Sequence, residues 1–573
     1  MCGIIGYKGE EDAGEIVHRG LKKLEYRGYD SAGIATVGNP SLKIEKGEGQ
    51  IEEAIEKSPD GKTGIGHTRW ATHGGVDDTN AHPHLDHEGR VALVHNGIIK
   101  NHEEIRKQLG VEKTSDTDSE VVAHLLSQNL KIHENVEKAV EKTEERLEGS
   151  YAVLATLDSG ELVAMKKDSP LVFAENDGEI FFGSDTTPFL DQVEEATFLE
   201  DGDYMVVDEE IRIFNSGKKV EREPREVDWN AEDASKKGYD HFMQKEIHEQ
   251  PTTMKRAALQ DRKKLEQAAE MIRKAESVYI TGCGTSSYAS KMGARYFRSK
   301  GIEVNVEQSH ELEYRKHEIG DEDLVIAVSQ SGETADLLSL TEKVDAYVLS
   351  IVNVQGSTLD READLSLNLN AGPEIGVAST KAFTSQLVVL KLLSYVMDGD
   401  IREGRKSLVE TAEKVEKVLE DNQENVEELS EFIAERDDVY FIGRNKGSVL
   451  ADEAALKLKE LSYIHSESFP GGEFKHGTLA LVEEGVPVVG MVTERGSEEL
   501  ISNVIEAKSR GAEIILSGVE GLESADYSIN IPEDENSEIL HIIPFQLLAY
   551  STSVEKGNNP DKPRNLAKSV TVK

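Results

Sequence analysis

The feature that most constrains this chain is an internal repeat. SVYITGCGTSS (277–287) and DVYFIGRNKGS (438–448) each read as an apolar strand, a glycine turn and the start of a helix. DLVIAVSQSGETADLL (323–338) pairs with VPVVGMVTERGSEELI (486–501), and AYVLSIV (346–352) with AEIILSG (512–518). The offsets are near 161 (278 to 439) and 165 (347 to 512), so two like domains stand in tandem. Apolar strands alternate with helices in both, the pattern of a parallel α/β sheet.

The front of the chain has another rhythm. SAGIATV (31–37), RVALVHNG (90–97), YAVLATLD (151–158) and DYMVVDEEIRIF (203–214) read as short strands, with helices such as EEDAGEIVHRGLKKL (10–24) between them. The expected organisation of the 573 residues is a mostly β domain over 2–217, a linker over 218–250, α/β domains over 251–415 and 416–555, and a polar tail over 556–573. The linker rests on KKVEREPREVDWNAEDASKKG (218–238), which is charged and without clear period.

Composition excludes several classes of function. With 65 basic and 109 acidic residues the formal net charge is −44, a surface that repels nucleic acid. No run reaches the roughly 18 apolar residues of a membrane helix. The first residues lack the basic and apolar segments of a secretory signal, so none is expected. Two cysteines, Cys2 and Cys283, make no disulfide framework, and a cytoplasmic location is expected.

Cys2 stands directly behind Met1 in MCGIIGY. Once Met1 is removed, Cys2 carries a thiol and a free α-amine, whose ordinary pKa of about 7.7–8.0 lets it serve as base for its own side chain. Taken alone, Cys2 equally fits a small residue that merely permits Met removal. GHTRWATHG (66–74), NAHPH (80–84), HNGIIKNHEE (95–104) and SDTDSE (115–120) add polar clusters beside apolar strands. HNG after RVALV leads a strand into a turn that offers Asn96 and Gly97 as oxyanion donors. Arg69 and Asp118 suit the carboxylate and ammonium of an amino acid. His67, His73, His82, His84 and His87 crowd the same stretch, but their spacing fits no tight ligand set, so core or substrate-side histidines are expected and no metal.

These motifs, with LEYRGYDSAGIA (24–35), resemble the class II glutamine amidotransferase domain, an α+β N-terminal-nucleophile hydrolase with αββα layers. The resemblance implies that Cys2 attacks the glutamine side-chain amide, that Asn96 and Gly97 form the oxyanion hole, that Arg69, Thr72, His73 and Asp118 hold glutamine, and that Trp70 gates ammonia transfer.

In the back two thirds, SQSGET (329–334) follows the strand LVIAV and precedes a helix, and GCGTSS (282–287) is built alike. Exposed amides at a helix start favour an anion, although Ser and Thr there also simply cap helices. Neither loop is a Walker A or a GxGxxG sequence, so ATP and NAD are not expected, nor any other cofactor. Glu453, Lys457 and Glu460 recur at spacings of four and three and share a helix face, which by itself reads as an exposed, salt-bridged surface. His476 lies in the glycine-flexed GGEFKHG and suits acid–base work.

GCGTSS, SQSGET, GPEIGVASTKAFTSQ (372–386), ALKLKELSYIHSE, GEFKHG and PRNLAKSVTV (563–572) resemble the paired sugar isomerase (SIS) domains of the glutamine–fructose-6-phosphate aminotransferase family. KGYDHFMQKEIHEQP (237–251) resembles that family's interdomain segment, so the similarity runs almost end to end. It implies that Thr285, Ser286, Ser329, Gln330, Ser331 and Thr334 hold the phosphate of fructose 6-phosphate, with Val377 and Ser379 also in the sugar-phosphate site. It further implies a Schiff base on Lys568, proton transfer by Glu460, ring opening by His476 across a homodimer, and support from Glu374 and Lys457. The aspartates of GGVDDTNAHPH and Thr478, where many relatives have proline, depart from the pattern away from the implied catalytic atoms. A phosphoribosylamine-forming enzyme would need an apolar strand ending in paired acidic residues, which is missing here. A non-catalytic sugar-phosphate sensor would need no Glu460, His476 and Lys568.

The acidic residues are spread along the chain, as in GEEDAGE and PEDENSE, and their self-repulsion is tolerable where salt screens it. A salt-rich cytoplasm is expected on this ground, although the chain keeps many lysines. The melting temperature is expected to rise from dilute buffer to molar salt; a flat profile overturns this reading.

Overall fold

The computed structural model describes residues 2–38, 41–71, 74–133, 135–226, 235–493, 498–518 and 525–571. It divides into two compact units, Met1–Ala234 with Ala567–Lys573, and Ser235–Leu566.

The first unit holds two antiparallel sheets, of eight and seven strands among the described residues. In the first, Gly3–Lys8 runs between Thr63–Arg69 and Glu179–Gly183. In the second, Val91–Ile99 runs between His84–Leu85 and Gly149–Leu157. Strand alternation sorts their side chains into layers. Ile5 and Tyr7 pack with Val17, Leu21 and Leu24 of the helix Ala13–Leu24. Ile4 points the other way and joins Ala92, Val94, Ala152 and Leu154 of the second sheet. Val91 and Leu93 face outward onto Val121, Val122 and Leu125 of the helix Glu120–Ile132. The layers are therefore helix, sheet, sheet, helix, the expected αββα order. The two sheets approach closely at Gly6, where an added Cβ would come within 2.5 Å of the Leu154 Cδ2.

The stretch 218–250, expected as a linker, carries regular structure. Lys218–Val220 forms a hairpin with Ile211–Asn215 through Ser216 (φ 50°) and Gly217 (φ 76°), a turn with positive φ at both central positions. Arg225–Glu226 pairs with Glu195–Phe198, and the helix Phe242–Ala258 runs across position 250. That helix buries Lys245, Glu246 and Gln250 beside Met243, Ile247, Met254 and Ala257, so polar side chains interrupt the apolar period of its inner face. Strands and helix were hidden by the same polarity that suggested a linker.

The second unit contains two five-stranded parallel sheets. One is ordered Val304–Gln308, Val278–Gly282, Leu324–Ser329, Tyr347–Val352, Leu365–Asn368. The other is ordered His465–Pro470, Asp438–Gly443, Pro487–Met491, Glu513–Ser517, Tyr527–Ile529. The strand orders correspond one to one, as the repeat requires. A single buried cluster joins Ile280 and Ile326 of the first sheet to Phe441, Val489 and Ile515 of the second, through the helices Lys381–Met397 and Ser537–Glu555. The two repeats thus share one core. Among the described residues, no helix is long and apolar enough to cross a membrane.

Candidate active site

Cys2 precedes the central strand of the first sheet, and Asn96–Gly97 lies within the matching strand of the second. Cys2, Arg69, Trp70, Asn96, Gly97 and Asp118 line one cavity of about 90 Å³ within the first unit. The Trp70 backbone N–H donates to the Cys2 Sγ at 3.2 Å, fixing the thiol at the cavity wall. The Cys2 carbonyl accepts from Asn96 Nδ2 at 3.0 Å and from Arg27 Nε at 3.2 Å. Arg27 is itself paired with Asp185. At Gly97 (φ +125°) a Cβ would meet the Ser150 carbonyl at 2.0 Å, so only glycine brings this backbone to the cavity.

A buried histidine sets the Asn96 amide. Because the Asn96 Nδ2 donates to Cys2, its Oδ1 is left to accept from His67 Nε2 at 3.0 Å. Burial pushes the His67 pKa down to about 3, so the ring is neutral and carries its proton on Nε2. His67 stacks on His82 at 4.3 Å, and His82 meets His84 edge-on at 4.5 Å. Burial lowers the pKa of both well below the ordinary value. His87 stacks instead on His124 at 4.1 Å. Asp118 accepts from the Ile99 N–H at 2.7 Å, and Arg69 donates to the carbonyls of Gly74 and Gly75 at 3.3 and 3.0 Å. Trp70 stands edge-on to Tyr29 at 5.7 Å. Thr72 and His73 lie outside the described residues.

In the second unit, the two candidate phosphate turns follow neighbouring parallel strands, Val278–Gly282 and Leu324–Ser329. Carboxyl ends of such strands are where open α/β sheets bind ligands. The helices Thr285–Arg298 and Ala335–Glu342 start at Gly284 and Thr334 with no side-chain cap, although the Ser286 and Ser287 N–H groups already donate to the Cys283 and Gly284 carbonyls at 3.1 and 2.9 Å. Gly332 (φ +67°) shapes the second turn, its N–H donating to Ser329 Oγ at 2.9 Å, while Ser331 Oγ accepts from the Glu333 N–H at 3.2 Å. Gln330 lies between these serines. The Ser286 hydroxyl accepts from Gln386 Nε2 at 2.9 Å.

The helix Lys446–Ser462 of the second repeat brings the acid–base residues to these turns. Thr285 Oγ1 donates to Glu453 at 3.2 Å, and Lys457 Nζ lies 2.7 Å from Glu460 and 3.6 Å from Glu453. Glu453 is 0% and Lys457 1% exposed, so this face is buried and not the exposed surface its spacing alone suggests. Burial raises the Glu453 pKa to about 8 against the pull of Lys457. For Lys457 burial opposes the charge, yet Glu453, Glu460 and Glu374 outweigh it and hold the pKa above the ordinary lysine value. Glu374 braces the neighbouring loop, accepting from Ser379 Oγ at 3.0 Å and from the N–H groups of Thr380 and Ala382 at 2.9 and 3.0 Å. Val377 donates its N–H to the Asp561 carbonyl at 3.2 Å.

His476 sits exposed in the short turn Phe474–His476. Lys568 falls in the tail Ala567–Lys573, which belongs to the first unit, and its neighbours Ala567 and Ser569 line the Cys2 cavity. Two residues absent from the expected site enter it: His67 behind Asn96, and Glu453 beneath Thr285. The i, i+4 spacing signalled Glu453, but nothing in the sequence singles out His67 from its neighbouring histidines.

A glutamine amidotransferase domain model matches residues 67–191, and a SIS domain model matches twice, at 271–395 and 432–556. The glutamine–fructose-6-phosphate aminotransferase (isomerizing) of Pyrococcus horikoshii is 44% identical over 598 residues, covering 100% of both chains. Its counterpart from Halobacterium salinarum is 40% identical over 602 residues, again with 100% coverage of both. Among solved structures, the C-terminal domain of glucosamine-fructose-6-phosphate aminotransferase from Francisella tularensis is 34% identical with a TM-score of 0.53, covering 57% of this chain and 100% of that one.

Neutral burial of His67, His82 and His84 has a pH signature. Their stabilisation is complete above the ordinary histidine value of 6.5 and is lost as pH falls, by up to about 1.4 kcal/mol per pH unit for each. Denaturant unfolding of the full chain between pH 7 and 5 is expected to show this decline, and a constant midpoint contradicts it. Glu453 acts in the opposite sense. Its raised pKa makes its contribution full below the ordinary 4.5 and progressively lost towards pH 8. Glu453→Gln is expected to gain in melting temperature relative to wild type as pH rises from 5 to 8; the reverse trend means an ionised Glu453 supports the fold beside Lys457.

Proposed function

The chain belongs to the glutamine–fructose-6-phosphate aminotransferase (isomerizing) family, and we propose that it converts fructose 6-phosphate and glutamine into glucosamine 6-phosphate and glutamate. The observation that carries this reading is the convergence of Cys2, Asn96, Gly97, Arg69 and Asp118 on one cavity. This supplies a nucleophile, oxyanion donors and a pair of charges for an amino acid.

In this reading, the α-amine of Cys2, freed by removal of Met1, takes the thiol proton, and the thiolate attacks the glutamine side-chain amide. Asn96 Nδ2 and the Gly97 N–H stabilise the oxyanion, ammonia leaves, and water hydrolyses the thioester to glutamate and free thiol. Arg69 pairs with the substrate carboxylate and Asp118 with its ammonium, with Thr72 and His73 as further glutamine contacts and Trp70 as the gate for ammonia.

The sugar phosphate is assigned to Thr285, Ser286, Ser329, Gln330, Ser331 and Thr334, with Val377 and Ser379 beside them, at the helix starts that favour an anion. His476 of the partner subunit of a homodimer assists ring opening. The Lys568 amine condenses with C2 and releases water, and ammonia then displaces the lysine. Imine formation needs this amine unprotonated. Glu460, held by Lys457 at 2.7 Å, carries a proton from C1 to C2 and turns the imine into the amino aldose. Glu374 is assigned a supporting role, consistent with its hydrogen bond from Ser379 Oγ. The reaction opens amino-sugar synthesis in a salt-rich cytoplasm.

Wild type is expected to form glucosamine 6-phosphate from fructose 6-phosphate with either glutamine or ammonia. Cys2→Ala is expected to lose the glutamine-dependent reaction and keep the ammonia-dependent one. Glutamine hydrolysis without amino sugar, whatever the sugar phosphate, would falsify the assignment of the acceptor and leave the front site standing.

A further inference from the structure

Cys283, His310 and Asp336 have no part in the chemistry above, yet they meet. The thiol, an imidazole nitrogen and a carboxylate oxygen all lie within 4.8 Å of one another, each residue half-buried. In sequence they stand 27 and 26 positions apart, so no spacing motif joins them. Topology does. Val304–Gln308, Val278–Gly282 and Leu324–Ser329 are adjacent parallel strands, so their carboxyl ends share one edge of the sheet. Cys283 directly follows the middle strand and His310 closely follows its neighbour. Asp336 lies in the first turn of the helix that follows the third.

We propose that Cys283, His310 and Asp336 form a binding site for a zinc-class divalent cation at the edge of the sugar-phosphate turns. A thiolate, an imidazole and one carboxylate are the mixed sulfur, nitrogen and oxygen set that suits Zn²⁺, whereas Mg²⁺ and Ca²⁺ prefer oxygen alone. Bonds of about 2.0–2.3 Å from one central ion bring three such atoms to separations somewhat under the observed limit, within reach of side-chain adjustment. Three protein ligands leave a fourth position open. On coordination the Cys283 S–H proton passes to solvent, so binding weakens as pH falls. A cation there ties the turn carrying Thr285 to the helix after Thr334, since Cys283 and Asp336 each lie two residues from those positions.

The probe is Co²⁺, whose thiolate ligation gives a charge-transfer band, titrated into the full chain carrying Cys2→Ala so that Cys283 is its only cysteine. Binding is read optically and does not depend on the proposed reaction, so failure of one leaves the other intact. The expected result is a saturable band at one cobalt per chain, displaced by Zn²⁺ and weakened roughly tenfold or more by His310→Ala and by Asp336→Asn, by analogy with the loss of metal-site support. Both variants leave the cysteine in place and are checked for folding by thermal melting. Absence of the band at stoichiometric cobalt overturns the site, and so does a band that neither variant changes, since that describes a lone thiol.

Discussion

An ammonium group cannot be buried without partners, and the second unit is organised around that constraint at Lys457. At 1% exposure its charge is kept chiefly by Glu460 at 2.7 Å; Glu453, which burial keeps protonated towards pH 8, lies 3.6 Å away and takes the Thr285 hydroxyl at 3.2 Å. One chain of contacts therefore joins the helix Lys446–Ser462 of the second repeat to the phosphate turn of the first. Breaking a buried pair by removing one partner costs about 3–5 kcal/mol, because the other charge stays in the interior. The positioning of Glu460 rests on this ion, while the two repeats are joined mainly by their shared apolar core.

The first unit solves a different problem with neutral groups. Cys2 has to face a cavity while its own strand is buried between two others and two layers. Gly6 and Ala92 let the sheets close, and Gly97 lets the backbone turn where a Cβ would strike Ser150. Behind the cavity, imidazoles that burial keeps uncharged orient Asn96 through a single hydrogen bond, from His67 Nε2 to Asn96 Oδ1. A charged ring there would need a counter-ion in the core, and a lost ring would free the amide to rotate.

Much of this was legible in the sequence. The repeat of strand, glycine turn and helix predicted two parallel sheets, and the strand orders correspond. RVALV was legible as a strand, but HNG, read as a turn, continues that strand to Ile99. The polar stretch 218–250 misled because its hairpin is an exposed edge and its helix buries lysine, glutamate and glutamine. The exposed reading of Glu453, Lys457 and Glu460 failed for a related reason: periodicity reports which residues share a face, not what covers it.

By itself the sequence determined most of the elements outside 218–250, the two turns able to receive phosphate and the cysteine able to become a nucleophile, because local periodicity and turn chemistry act over a few residues. Only the tertiary structure decided which partners meet across long separations. Asn96 reaches Cys2 over 94 positions, Thr285 reaches Glu453 over 168, and Cys283 gathers with His310 and Asp336. Those meetings follow from sheet order and helix packing, where burial sets both the protonation of each group and the partners left to it.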